Sequence, residues 1–229
     1  VANNSRSELH ASLKGIYTHF ASAKDFNYPT YTDKQFGEFQ KAAELFKKAG
    51  FKNLVRHCSA TGGVLVGDKY HLDAVRIGIG LYGLWASKEL EIQLPEINLC
   101  PVLSWRAVVS EVKDLKAGDY VGYDLAERVP KNTRIAVLPV GYWHGFPRSL
   151  SGIGEVIVGG RRARVLGKVS MDLLVVDIDG SKCRPGDVAT LVGRSGKEEI
   201  CASLAAQRAG TIHYELLTRL NPLIERILI

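Results

Sequence analysis

The sequence predicts an α/β segment followed by an all-β segment, and three observations carry that prediction. Strand-like and helix-like runs alternate over residues 1–90. From about residue 96 the apolar pattern changes to period two, and a proline-bearing stretch, PEINLCP (95–101), lies at the change. We therefore place the domains at 1–95 and 96–229. At 229 residues the chain has room for one large domain or two small ones. With 46% apolar and 24% charged residues it has the composition of a globular protein, which excludes disorder.

The first half begins with VANNSRSELHASL, a helix-like entry that starts at Val and not Met. We read this as a piece of a longer polypeptide, and expect no leader-like or signal-like segment within the given residues. LKGIYTHFA (13–21) is a strand candidate ending in Thr18 and His19, and its sheet edge is expected to depend on strands absent from the sequence. Over Asp33 to Ala49 the apolar residues Phe36, Phe39, Ala42, Ala43 and Phe46 have helical spacing, and Gly50 supplies a stop. Asn53 to His57 is a short strand, CSATGG (58–63) a small-residue turn, and DAVRIGIGLY (73–82) a further strand running into a glycine-bearing turn. This alternation implies a parallel sheet with helices outside it.

In the second half LCPVLSWRAVVSEVKDL, RIAVLPVGYW, GEVIV, RRARVLGKV and DLLVVDIDG read as strands. KAGD is a turn, and Gly159–Gly160 sits where a two-residue hairpin needs positive φ. One helix is expected over Glu198 to Gln207 and a last strand over LIERILI.

Lys plus Arg outnumber Asp plus Glu by 30 to 24, a net charge of +6 that permits an anionic ligand. The basic residues are dispersed. The densest run, GGRRARVLGK, reads as a solvated hairpin and not a nucleic-acid patch, so no nucleic-acid partner is expected. No apolar run approaches the roughly 18–20 residues of a membrane span. Cys58, Cys100, Cys183 and Cys201 lack metal-ligand spacing. We expect no metal site and free thiols in a reducing cytoplasm.

Ligands of parallel sheets sit at the carboxyl ends of the strands. Three such ends carry unusual residues: His19; the turn Ser59-Ala60-Thr61-Gly62-Gly63; and Arg76 followed by Gly78-Ile79-Gly80. A hydroxyl beside glycines presents donors to an anion such as phosphate, although small residues after strands are more often plain tight turns. Arg76 is flanked by Val75 and Ile77, and a guanidinium there must find acceptors. In the second half, tyrosines lie near glycines at GYD (122–124), GYW (141–143) and HYE (213–215). Such phenols ordinarily meet water, yet one is also able to act as acid or base. Met171 in VSMD is adequately read as a core filler.

GIYTHFA, VRIGIGLYG, VGYD, PVGYWHGFPR, GKVSMD and GTIHYE, in this order and spacing, resemble the bacterial alanine racemases. These are pyridoxal-phosphate enzymes with an N-terminal (β/α)8 barrel and a C-terminal β domain. The resemblance implies that the chain holds about the last three barrel strands and the whole β-barrel-like domain. It also implies site residues. Thr61, Gly78, Ile79 and Tyr214 would hold the cofactor phosphate. Arg76, fifteen residues after Thr61, would face the pyridine nitrogen, and His19 would brace it. Tyr123, nineteen residues before Tyr142, would be the catalytic tyrosine. Tyr142 and Arg148 would line the substrate entrance, and Met171 would offer its N–H to the substrate carboxylate. A homodimer is implied, with Tyr123 and Met171 acting at the partner's cofactor, on alanine, to supply D-alanine for peptidoglycan.

Departures from the family pattern are Thr61 for Ser, Trp143 and His144 in GYWHG, and Lys168 for Arg in GKVSMD. The family's cofactor lysine, in a Lys-Ala-Asn-Ala-Tyr-Gly-like motif, has no counterpart. Lys14, Lys24 and Lys48 stand in other contexts, so the 229 residues alone are expected to be inactive. Alternatives are a racemase of serine or another amino acid, a barrel-type decarboxylase, whose Gly-rich phosphate turn and Cys motif are not found, and a basic β-rich binding module. The last predicts salt-sensitive nucleic-acid binding, but the aromatics sit at turns and not along a strand face.

Overall fold

Helix α1, Thr30–Lys48, follows Pro29, carries Asp33 in its first turn and Lys47 and Lys48 in its last, and so complements its own dipole at both ends. Gly50, at φ 89°, closes it by donating its N–H to the Lys47 carbonyl at 3.0 Å. The apolar stripe read from the sequence buries Phe39, and Phe36 sets its ring edge-on to Tyr70 at 5.3 Å. The computed structural model describes residues 12–228, so the helix-like entry over 1–13 lies almost wholly outside the described residues.

Strands β1, Gly15–Tyr17, and β2, Val55–His57, pair in parallel with Ile16 opposite Arg56. Among the described residues neither has a further named strand beside it. Two segments differ from expectation. The turn CSATGG ends at Ala60, and Thr61–Val66 winds into a short helix, α2. Asp73–Tyr82 is not a strand. Its alternation is broken by Gly78 and Gly80, leaving a single parallel bridge from Arg76 to Ala60 and a 3-10 turn over Ile79–Tyr82. Helix α3, Lys88–Gln93, is capped by Ser87, whose hydroxyl accepts the Leu90 N–H at 3.2 Å. These elements form one compact unit, ending at Val102; a second begins at Leu103.

The second unit is built on an eight-stranded sheet of β3 (Trp105–Val108), β4 (Glu111–Leu115), β7 (Thr133–Leu138), β8 (Glu155–Val158), β9 (Arg161–Leu166), β10 (Leu174–Asp177), β11 (Val188–Ser195) and β12 (Glu198–Ile200). Its order is β12-β11-β8-β9-β10-β7-β4, with β3 beside β11 and each pairing antiparallel. A two-stranded ladder pairs β5 (Tyr120–Val121) with β6 (Glu127–Arg128). The period-two pattern holds in β10, where Leu174 and Val176 are buried, whereas in β8 and β11 consecutive residues such as Val156 and Ile157 are buried, because both faces of those strands are covered. Full burial of such side chains stabilises by about 1.5–3 kcal/mol each. Gly159 (φ 59°) and Gly160 (φ 75°) form the hairpin between β8 and β9 in the left-handed conformation a two-residue turn requires.

Three expectations fail here. Glu198–Ile200 is strand and not helix, because it pairs with β11; helix α4 starts at Ala202 and ends at Arg208. RIAVLPVGYW is a strand only to Leu138, and Tyr142–His144 is a 3-10 turn. The terminal run LIERILI forms no strand over its described residues, where Leu223, Ile227 and Leu228 are exposed. HYE opens helix α5, His213–Thr218.

Candidate functional site

In the first unit the guanidinium of Arg76 is the centre of a dense set of contacts. Nη1 lies 2.5 Å from His57 Nδ1 and 3.4 Å from the His57 carbonyl oxygen. Nη2 donates to the carbonyls of Thr18 at 3.0 Å and Cys58 at 3.3 Å, and lies 3.2 Å from His19 Nδ1. An arginine donates and never accepts, so both imidazoles accept at Nδ1. Tyr17 places its ring 5.3 Å from Arg76 Cζ and stacks on His57 with the planes 4° apart. The strand ends of β1 and β2 thus supply the acceptors that the apolar neighbours of Arg76 cannot. The result is a planar cation fixed in direction, a donor that does not release its proton. His19 was legible as a partner in the sequence; His57 was missed, because nothing in local spacing joins it to a residue nineteen positions on.

Thr61, 6% exposed, stands at the start of α2, and its Oγ1 accepts the N–H of Gly78 and of Gly80 at 3.2 Å each. Gly80 is required by this approach, since a Cβ there would lie 2.9 Å from Thr61 Cγ2. Ile79 lies between the two glycines and is buried. The resemblance named Gly78 and Ile79; on the hydroxyl the second donor is Gly80, the last residue of the same glycine-bearing turn. Both N–H groups are taken up by the hydroxyl oxygen, which leaves the Thr61 O–H, turned away from them, as the donor this cluster offers to an anion. Beside it, Ser59 Oγ and Cys58 Sγ both donate to the Tyr70 carbonyl, at 2.7 and 3.0 Å. Burial pushes the Cys58 thiol above its usual range, which keeps it protonated and unreactive.

In the second unit four segments carrying sequence-predicted residues are joined by hydrogen bonds and close backbone packing. The turn after β5 carries Tyr123, and Gly122 packs against the Gly167–Lys168 backbone so closely that a Cβ would lie 3.0 Å from the Lys168 nitrogen. Lys168 is ion-paired with Asp124, and Glu127 accepts the Gly167 N–H at 2.6 Å while pairing with Arg164. Tyr142 and Trp143 donate their N–H groups to the carbonyls of Ser170 (3.0 Å) and Met171 (2.9 Å). Ser151 bonds both the Arg148 carbonyl (2.6 Å) and the Val169 N–H (3.0 Å). Tyr123, Tyr142, Arg148 and Met171 therefore stand on one connected framework, and the side chains of Tyr123, Tyr142 and Met171 are exposed. Met171 is not the core filler that its composition alone suggests.

The other tyrosine, Tyr214, lies at the start of α5, where burial raises its phenol above the usual range and keeps it a proton-bearing donor. The 142–145 turn is tied to the chain beyond α5, with Asn221 Nδ2 on the Trp143 carbonyl (3.0 Å) and Asn221 N–H on the His144 carbonyl (3.2 Å). His144 Nδ1 accepts the Gly141 N–H at 3.2 Å, and its ring meets Trp143 edge-on at 4.9 Å. The basic run is a hairpin, with Arg162 paired to Glu155 and Glu198. Among the described residues no cluster of three His, Cys, Asp or Glu side chains is arranged to hold a metal.

Comparison with known proteins gives a consistent result. Residues 102–228 match the family "Alanine racemase, C-terminal domain", and residues 2–85 match "Alanine racemase, N-terminal domain". An alanine racemase of Leptospira interrogans is 36% identical over 226 residues, 95% of this chain and 58% of its own length. Among solved structures, an alanine racemase from Bacillus anthracis with bound L-Ala-P superposes with a TM-score of 0.86 at 35% identity, covering 92% of this chain and 53% of that one. One from Bartonella henselae with covalently bound pyridoxal phosphate has a TM-score of 0.79 at 28% identity, covering 96% and 57%. The chain spans a little over half the length of the relatives it matches.

Proposed function

The chain belongs to the alanine racemase family, and from that premise we propose that it forms the barrel-end and β-domain part of a pyridoxal-phosphate enzyme that interconverts L- and D-alanine. The observation that carries this reading is Arg76, a donor-only cation held by His57, His19 and three carbonyls in the same unit as the Thr61 cluster. The residue types fit the cofactor: Thr61, with the backbone of Gly78 and Ile79, would hold its phosphate, and Arg76 would offer a hydrogen bond to its ring nitrogen. Tyr214 is assigned to the phosphate by the family pattern alone.

Pyridoxal phosphate supplies, when bound, an electron sink for the pair left at the substrate's Cα. Arg76 gives a hydrogen bond without giving a proton, which keeps that sink weak and favours quick return of the proton to carbon. Tyr123 moves one proton at its phenol oxygen, on one face of the substrate. Met171 gives its N–H to the carboxylate, and Tyr142 and Arg148 shape the entrance. The opposite face needs a second base, the cofactor lysine, whose motif is absent from the 229 residues. Activity thus belongs to an assembly that includes a lysine-bearing barrel portion, in a homodimer where Tyr123 and Met171 serve the partner's site. The free cysteines support a reducing cytoplasm, and D-alanine for peptidoglycan is the product's use in bacteria.

The test is a chimera in which the N-terminal portion of the Leptospira relative precedes this chain. We expect it to bind pyridoxal phosphate and to racemise alanine faster than serine. Tyr123→Phe is expected to lower kcat by about 10²–10⁴-fold. A chimera that binds the cofactor but prefers serine, or one indifferent to Tyr123→Phe, overturns the reading.

A further inference from the structure

The backbone that carries Tyr123 is held in a shape it does not favour. Asp124 (φ 59°, ψ 24°) and Leu125 (φ 52°) are consecutive non-glycine residues in the left-handed region, which L side chains enter reluctantly. Tyr123 is 68% exposed, and its phenol makes no hydrogen bond among the described residues. Within the described residues the turn is what carries the side chain outward. Asp124 is reached by Lys168, 44 residues further along the chain, and the ion pair joins the turn to the segment that leads into Met171. Other contacts act beside it, among them the packing of Gly122 on the Gly167–Lys168 backbone. Glu127 grips Gly167 and Arg164, and Ala126 donates to the Tyr123 carbonyl at 3.2 Å, but Lys168 supplies the ion pair of the turn itself.

We propose that Lys168, acting through Asp124, is the positioning residue for the Tyr123 phenol: the ion pair latches residues 122–125 in the left-handed conformation that aims it. This rests on the reading of Tyr123 as the proton-transfer group. Lys168 holds the Asp124 carboxyl below its usual range, aided more weakly by Arg148, so the pair is charged at neutral pH. Both side chains are at least partly exposed, 35% for Lys168 and 74% for Asp124. An exposed pair adds little to global stability. Its loss is expected to act locally, on the turn, without unfolding the unit.

The experiment has two readouts. In the 229-residue chain, Lys168→Met is expected to speed amide exchange at Ala126 by about tenfold, with the melting temperature unchanged. In the chimera the same substitution is expected to lower kcat by about tenfold, with KM and cofactor affinity held within about twofold. Lys168→Arg restores both. Asp124→Gly removes the reluctance of the backbone, so Lys168→Met made on top of it adds under about twofold to either effect. Unchanged exchange and kcat in Lys168→Met, or an equal loss in the Asp124→Gly background, overturns the latch. If Tyr123→Phe leaves kcat intact, the parent reading fails on its own, and Ala126 exchange still decides the latch.

Discussion

Arg76 and His57 meet at 2.5 Å, Nη1 to Nδ1, with the Tyr17 ring against both. The contact ties the one charged side chain of VRIGIG to the end of β2. Its consequence is chemical. In the cofactor-loaded chimera, Arg76→Glu is expected to raise transamination side product severalfold, measured as pyridoxamine phosphate by chromatography. His57→Phe, which keeps a ring beside Tyr17 but removes the acceptor, is expected to give a smaller rise in the same direction. Cofactor retention with no change in side product would show that Arg76 does not set the strength of the electron sink.

The 229-residue chain by itself is expected to show no alanine racemisation with added pyridoxal phosphate, because its sequence carries no counterpart of the family's cofactor-lysine motif. Circular dichroism of alanine over a long incubation, or chiral chromatography, is sufficient. Turnover above the rate with free cofactor would require one of its own lysines to serve.

Acid stability of the first unit is expected to depend on Asp73. Its carboxylate receives Arg56 through Nε, Nη2 and the backbone N–H, at 2.8, 3.0 and 2.8 Å, and is held down to about 2. A carboxylate depressed on folding contributes stability that is present above its unfolded value, about 4, and lost as pH falls toward about 2. In Asp73→Asn the stability difference from the native chain is expected to be present at neutral pH and to vanish below that window. A difference that persists unchanged at the acid end would place its origin in packing and not in charge. Because the pair is partly exposed, the effect is modest.

Leu138, fully buried in β7, tests the core of the second unit. Leu138→Ala is expected to destabilise by about 2–5 kcal/mol, read from denaturant unfolding followed by tryptophan fluorescence. A change under about 1 kcal/mol would mean that the neighbouring side chains collapse into the space.

The sheet of the second unit was legible where alternation and burial share a period, as in β10 with Leu174 and Val176 buried, and where Gly159–Gly160 turns the chain. Misreadings occurred where residue preference and partner availability disagree. Val75, Ile77 and Ile79 look like a strand, yet Gly78 and Gly80 divert the backbone to Thr61. Glu198–Ile200 looks helical but has β11 to pair with, and LIERILI looks like a strand with none. Within the candidate site, Arg76, Thr61, His19 and the tyrosines stood out by residue type at strand ends and turns. His57 and the Lys168–Asp124 pair did not, since each depends on a contact between side chains far apart in sequence.

The ladder from Tyr142 and Trp143 to Ser170 and Met171 has a consequence for engineering the entrance segment. Two backbone hydrogen bonds join the turn and the VSMD segment into a single structural block. A substitution that shifts one is transmitted to the other, so variants at 143 or 144 are expected to be tolerated or rejected according to the residues present at 168–172. Grafting residues 141–145 and 168–172 together onto a related enzyme is expected to keep these two hydrogen bonds, and grafting either segment alone to strain them.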